Sequence, residues 1–176
     1  MKKAVIVLTL LLLANTHWGQ SVVSSKIYHS NSKQLEEIFH QFITEEKKHS
    51  YYHDSLVYTM KIVISDSMLS CKFRAGLSHY RNDTVFMDEQ WIGDFPPEYL
   101  RIGGRFVRLL ISNAGTYWPP MPFIHDSDEY CTVVGRHIER DPAYENIDDS
   151  IFPSVWEFQY IDGKFQMIKK TEGIEF

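Results

Sequence analysis

The residues best equipped for chemistry stand in four groups. His125-Asp126-Ser127-Asp128-Glu129 gathers imidazole nitrogen and carboxylate oxygens, donors that divalent metals accept, into five consecutive positions. His125, Asp126 and Asp128 are the candidate ligands, yet a closed site needs others from elsewhere, and a polar turn before a strand explains the same composition. His49 and His53 are four apart and would share one face of a helix that ran so far, as zinc pairs do. They lack a His-Glu-x-x-His frame, and Ser50-Tyr51-Tyr52 reads as a helix already ending. No Gly-x-Ser-x-Gly elbow marks a serine nucleophile. Cys71 and Cys131 would need to be accessible thiolates to act as nucleophiles, but both sit in strand patterns. Glu89, Asp94, Asp148 and Asp149 could pair across space as glycoside hydrolases require, although any acidic chain supplies such residues. With no metal, nucleotide or cofactor motif, the reading leans away from an enzyme.

Binding has a firmer foothold. Tyr117-Trp118-Pro119-Pro120-Met121-Pro122-Phe123 sets Tyr117, Trp118 and Phe123 on a proline-stiffened loop, and rigid rings bind at low entropic cost. Arg101, Arg105 and Arg108 lie nearby in sequence and would suit an anionic ligand. The competing reading is a loop folded back to seal one end of the core. Asp-hydroxyl-aliphatic triplets recur at Asp54-Ser55-Leu56, Asp66-Ser67-Met68, Asp83-Thr84-Val85 and Asp149-Ser150-Ile151. They resemble the O-glycosylation motif of some Gram-negative bacteria, which implies modification at Ser55, Ser67, Thr84 and Ser150. Turn chemistry followed by a strand gives the same triplets. Asn82-Asp83-Thr84 also fits an N-glycosylation acceptor, relevant only in a eukaryotic secretory path.

The first 19 residues supply an address. Lys2 and Lys3 precede an apolar run from Ala4 to Ala14, and a polar stretch follows, the layout of a secretory signal peptide. The run is shorter than the ~20 apolar residues a membrane span needs. Export to the periplasm or the exterior is expected, with the mature chain starting at Gln20 or Ser21. Neither cysteine stands at the end of this leader, so lipid attachment there is excluded. In an oxidising compartment Cys71 and Cys131 could pair, worth roughly 4 kcal/mol in the chain-entropy model; two separately buried thiols are the alternative. The net charge of −5 over 176 residues disfavours a phosphate backbone, so nucleic acid is not an expected partner. Aromatic residues make up 14% of the chain, enough to fill a core or a pocket with rings.

Periodicity then outlines the elements that would position these groups. Residues 20–30 read as a polar lead-in, and 31–176 as a single globular domain. From a cap at Asn31 or Ser32, Leu35, Ile38, Phe39, Phe42 and Ile43 form one helical stripe. The period next shortens to two: Leu56, Tyr58, Met60, Ile62 and Ile64 share one strand face, and Leu69, Cys71, Phe73, Ala75 and Leu77 another. Further strands are expected at 84–91, 105–112 and 130–138, with one helical turn at 95–100. Asp162-Gly163 suits a type I′ turn that pairs Tyr160 with Phe165 and Phe158 with Met167.

This order predicts an α+β fold: an N-terminal amphipathic helix on a curved antiparallel sheet of about seven strands, a cystatin-like or nuclear-transport-factor-like roll. The alternative is a small closed barrel with the helix as plug or lid. Pro96-Pro97-Glu98-Tyr99-Leu100, Gly104-Arg105-Phe106-Val107 with Leu109 and Ile111, Gly115-Thr116-Tyr117 and Asp128-Glu129-Tyr130 resemble segments of secreted lipocalin-like bacterial proteins. The resemblance implies a ligand-holding β-barrel and assigns no functional residue. That family opens with a Trp-bearing strand, whereas Trp91 here follows a helix and about three strands. The functional expectation is an exported, non-enzymatic protein that binds a small apolar or sugar-like ligand, or a partner protein. An inhibitor or immunity-type protein and a hydrolase with a pocket in a half-open roll are the alternatives.

Overall fold

The computed structural model describes residues 21–65, 68–88, 91–92, 95–113, 123–138 and 154–171. The expected leader, Tyr117 and Trp118, the carboxylates Glu89, Asp94, Asp148 and Asp149, and the hydroxyls of Ser67 and Ser150 lie outside these residues, as does the Leu77 side chain.

Helix α1 spans Lys33–Glu46. Ser32 caps it, its hydroxyl accepting from the Leu35 N–H at 3.3 Å, the role that favours serine at this position. The predicted stripe is the buried one: Leu35, Ile38, Phe39, Phe42 and Ile43 all face inward.

Eleven strands are described, β1 (Ser21–His29), β2 (Leu56–Ser65), β3 (Met68–Arg81), β4 (Thr84–Phe86), β5 (Trp91–Ile92), β6 (Glu98–Ile102), β7 (Arg105–Asn113), β8 (Tyr130–Gly135), β9 (His137–Ile138), β10 (Val155–Ile161) and β11 (Lys164–Thr171). One sheet runs β11-β10-β3-β2-β7-β6-β1-β8-β4, and β4 pairs back onto β3. The path from β3 round to β4 is therefore a closed seven-stranded barrel. β3 is long enough to serve two neighbours on one edge: Ser70–Arg74 pair with β10, and His79–Arg81 pair with β4. The β10–β11 hairpin thus leaves the barrel as a flap.

The sheet closes, unlike the expected half-open roll, and the described residues are mostly β with one helix, compatible with the barrel alternative. Antiparallel pairing predominates, but β1–β6, β2–β7 and β4–β8 are parallel. Residues 21–29, expected as a polar lead-in, form β1 in the barrel wall. Their serines concealed this, because Ser25 is a small, fully buried inward residue. The helical turn expected at 95–100 is replaced by β6.

Strand alternation divides the core in two. Ile27, Val57, Val85, Tyr99, Phe106, Cys131 and Val133 form one cluster. Tyr58, Met60, Ile62, Cys71, Phe73, Leu100, Val107, Trp156 and Phe158 join the stripe of α1 in the other. The first cluster fills the barrel interior, since on β1 and β8 the opposite face carries the exposed Val22 and Tyr130. The second lies between the outer wall and α1. Phe42 is its hub, with ring centroids 5.4 Å from Tyr58, 5.7 Å from Phe73 and 5.7 Å from Trp156. The Gln34 amide ties the helix start to the flap, donating to the Gly163 carbonyl at 3.2 Å. At the other end Glu46 is a buried carboxylate that accepts from the Tyr51 hydroxyl at 2.7 Å and from the Ser154 hydroxyl. Burial pushes its pKa up against the opposing pull of those hydroxyls and of His49.

The hairpin turn forms as predicted, with Asp162 and Gly163 at φ 50° and 79°. The pairs Tyr160–Phe165 and Phe158–Met167 both hold. Beyond them a bulge between Glu157 and Phe158 moves Trp156 opposite Lys170.

Candidate functional site

β6 is shorter than both of its neighbours. Its pairing with β1 starts at Ile27–Tyr99, while β1 continues back to Ser21 alongside β8. Its pairing with β7 ends at Glu98–Leu109, while β7 runs on to Asn113 alongside β2. Pro96 and Pro97 account for the early end, since neither has an N–H to extend a ladder. The wall is notched there, and the notch is a cleft of about 500 Å³. β1 contributes Ser24 and Lys26, β7 contributes Arg108 to Ile111, and Trp91, Phe95, Glu98 and Tyr130 complete the lining with the two prolines.

Trp91 links cleft and interior. It belongs to the inner cluster and is only 3% exposed. Gly135 makes room for Met87 beside it: a Cβ there would stand 2.7 Å from the Met87 Cβ, and at 3.4 Å, an ordinary contact, from the Trp91 ring. The His137 ring lies against Trp91, with centroids 5.3 Å apart. At the rim, Phe95 and Tyr130 stand 82% and 59% exposed.

The charged groups around the cleft are held in place. Lys26 is paired with Asp126. The Tyr28 hydroxyl donates to Glu98 Oε1 at 2.9 Å. Burial, and then that carboxylate, push the Tyr28 phenol up to about 12, so it remains a donor at neutral pH.

The predicted site residues separate. The three arginines do not converge on one ligand. Arg101 donates to Asp83 at 2.9 Å and lies over the Phe106 ring. Arg105 clamps the loop after α1, donating to the Asp54 carbonyl at 2.8 Å, to its carboxylate at 2.9 Å and to the Tyr52 hydroxyl. Arg108 alone of the three lines the cleft. Phe123 is buried against Phe165 in the helix-side cluster, and the rest of its loop lies outside the described residues.

Of the metal candidates, Asp126 is committed to Lys26, and His125 bridges His29 through the main chain. Among the described residues no three His, Cys, Asp or Glu side chains gather as a metal site, and Asp128 joins none. α1 ends before His49, whose ring stacks on Tyr51, while His53 Nδ1 lies 2.7 Å from the Ser55 hydroxyl. The histidines therefore share no helix face.

Cys71 and Cys131 do not pair. Both are free, and they belong to clusters on opposite sides of the wall. Burial raises both thiol pKa values, that of Cys131 to about 11, so neither is a thiolate at neutral pH. Ser55 and Thr84, the described hydroxyls of the triplets, stand just before β2 and at the first residue of β4.

Trp91, Phe95, Glu98, Tyr130 and Lys26 escaped the sequence reading as site residues. The available signal was Pro96-Pro97 directly before a strand, which marks where a ladder must stop. Among the described residues, no helix is long and apolar enough to cross a membrane. Set against known protein families, curated proteins and solved structures, the chain matches none.

Proposed function

We propose that this chain is an exported, non-enzymatic binding protein that takes its ligand or partner at the notch between β1 and β7. One observation carries the reading: an aromatic cleft lies where a wall strand stops short, with Phe95 and Tyr130 exposed beside it. Isolated apolar side chains are ordinary on surfaces, but rings grouped around a concavity are the usual dress of binding sites. Inner positions are taken by buried side chains such as Tyr99, Phe106 and Val133, which turns the search from the lumen of a lipocalin-like barrel to its wall. The leader-like first 19 residues support export.

The test is a native mass spectrum of the purified protein, alone and after incubation with fatty acids, oligosaccharides or peptides. Mass retained under gentle conditions and lost on denaturation is expected. The same loading of a Trp91→Ala, Tyr130→Ser variant would show that the cleft is not the site.

A further inference from the structure

The notch is bounded by main chain, which limits what fits it best. This inference rests on the cleft being the binding site and names its ligand class. Among the described residues, 21–26 of β1 pair only with β8, and 110–113 of β7 pair only with β2. Two strand edges therefore face each other across the space one further strand would occupy, about 10 Å or two inter-strand spacings.

Hydrogen-bond parity says which groups line those edges. The Ile27 N–H donates to the Glu129 carbonyl and the His29 N–H to the His125 carbonyl, so odd residues of β1 point toward β8. By alternation, Val22, Ser24 and Lys26 turn their N–H and C=O groups to the notch. Across it, Ile102–Arg105 closes the two-residue Gly103-Gly104 turn as a hydrogen-bonded pair. Odd residues of β7 thus point toward β6, and beyond its end Ile111 points into the notch. Ser24, Lys26 and Ile111 are indeed among the lining residues.

We propose that the notch binds an extended polypeptide segment as an added strand between β1 and β7, roughly four residues long. A peptide carries N–H and C=O groups on both edges at strand spacing, whereas a sugar or an acyl chain leaves most of these edge groups to water. Alternate side chains of the guest face opposite ways, one set toward Trp91 and the other toward Phe95 and Tyr130. Apolar residues at every second position fit both.

The experiment is selection of a random heptapeptide library on the immobilised protein, followed by resynthesis of the recovered peptides with and without N-methylation of alternate amides. Expected are peptides with alternating apolar residues, a loss of affinity of at least tenfold on N-methylation, and slowed amide exchange at Ser24 and Ile111 in the complex. The N-methylated peptides need no altered protein, so folding of a variant does not enter. Recovery of no peptide, or equal affinity after N-methylation in either register, overturns strand addition. If peptides fail while a fatty acid or oligosaccharide binds and is lost in the Trp91→Ala, Tyr130→Ser variant, the cleft stands and only its ligand class falls. If nothing binds, both fall.

Discussion

On β2 and β3 the outer face of the wall carries Tyr58 and Phe73 against Phe42 of α1, and Leu100 of β6, Val107 of β7 and Trp156 of the flap are buried in the same cluster. On β1 the outer face carries Tyr28 against the helix-side cluster, but further along β1 and on β8 no described helix covers it, and Val22 and Tyr130 stand 66% and 59% exposed. The two regions belong to one continuous barrel with one strand chemistry. Among the described residues, what separates them is α1, whose apolar stripe covers one flank. The covered flank supplies stability, and the other, with its notch at the end of β6, is the one proposed to bind.

The largest test of this division is Phe42→Ala. Its ring packs on Tyr58, Phe73 and Trp156 at the centre of the covered flank. Truncation removes a buried ring and leaves a cavity, so unfolding free energy in urea is expected to fall by about 3–5 kcal/mol. A loss below 1 kcal/mol would mean that α1 is not what holds this flank. Next is Gly135→Ala, on the inner side beneath Trp91. The new Cβ would meet the Met87 Cβ at 2.7 Å, a contact too close to keep. Overpacking of this kind costs about 1–3 kcal/mol, and its relief displaces Met87 or the backbone at 135, next to the Trp91 ring. The same substitution should therefore weaken ligand binding at the notch, which Phe42→Ala at moderate denaturant should not.

Glu46 gives a third, pH-dependent contrast. Its carboxylate is buried under the end of α1 and its pKa is raised by that burial. The folded state then holds the proton more tightly than the unfolded chain does. Its contribution favours folding most on the acid side and declines as pH rises from the ordinary glutamate range through the raised native value. Glu46→Gln keeps an acceptor oxygen for one of the Tyr51 and Ser154 hydroxyls, presents an amide donor to the other, and removes the titration. Urea midpoints measured from pH 4 upward should fall less steeply in the variant; an unchanged slope would remove Glu46 from the account.

The covered flank was legible in the sequence, and the notched flank was not, for a physical reason. Leu35, Ile38, Phe39, Phe42 and Ile43, and the alternation on β2 and β3, are large side chains at regular spacing, and large buried areas leave a periodic trace. The Asp162-Gly163 turn was legible because positive φ at two successive residues restricts the residue types allowed. β1 left little trace: its inward Ser25 is small, and its outward Val22 is exposed. β6 was masked by Pro96-Pro97, which made 95–100 read as one helical turn but mark where the ladder stops. Closure of the sheet depends on which edges meet, namely β4 with β3, and short strands such as Thr84–Phe86 carry too few residues to announce a partner. The three arginines looked like one site because they are close in sequence, but their partners Asp83 and Asp54 are distant along the chain.

The smallest expected change in stability is the one that best separates the two flanks. Phe95 and Tyr130 are large rings, as Phe42 is, so composition alone would assign them equal weight. Their exposure of 82% and 59% means that folding removes little of their surface from water. Phe95→Ser and Tyr130→Ser should each leave the urea midpoint within about 0.5 kcal/mol of the parent, as surface substitutions generally do. The rings nevertheless frame the notch, so the same variants should weaken peptide capture there severalfold. Stability and binding thus move independently on this flank, while on the helix side stability alone responds. A rim substitution that unfolded the protein would place Phe95 or Tyr130 in a core, and the bare flank would then be part of the fold's support and not its binding face.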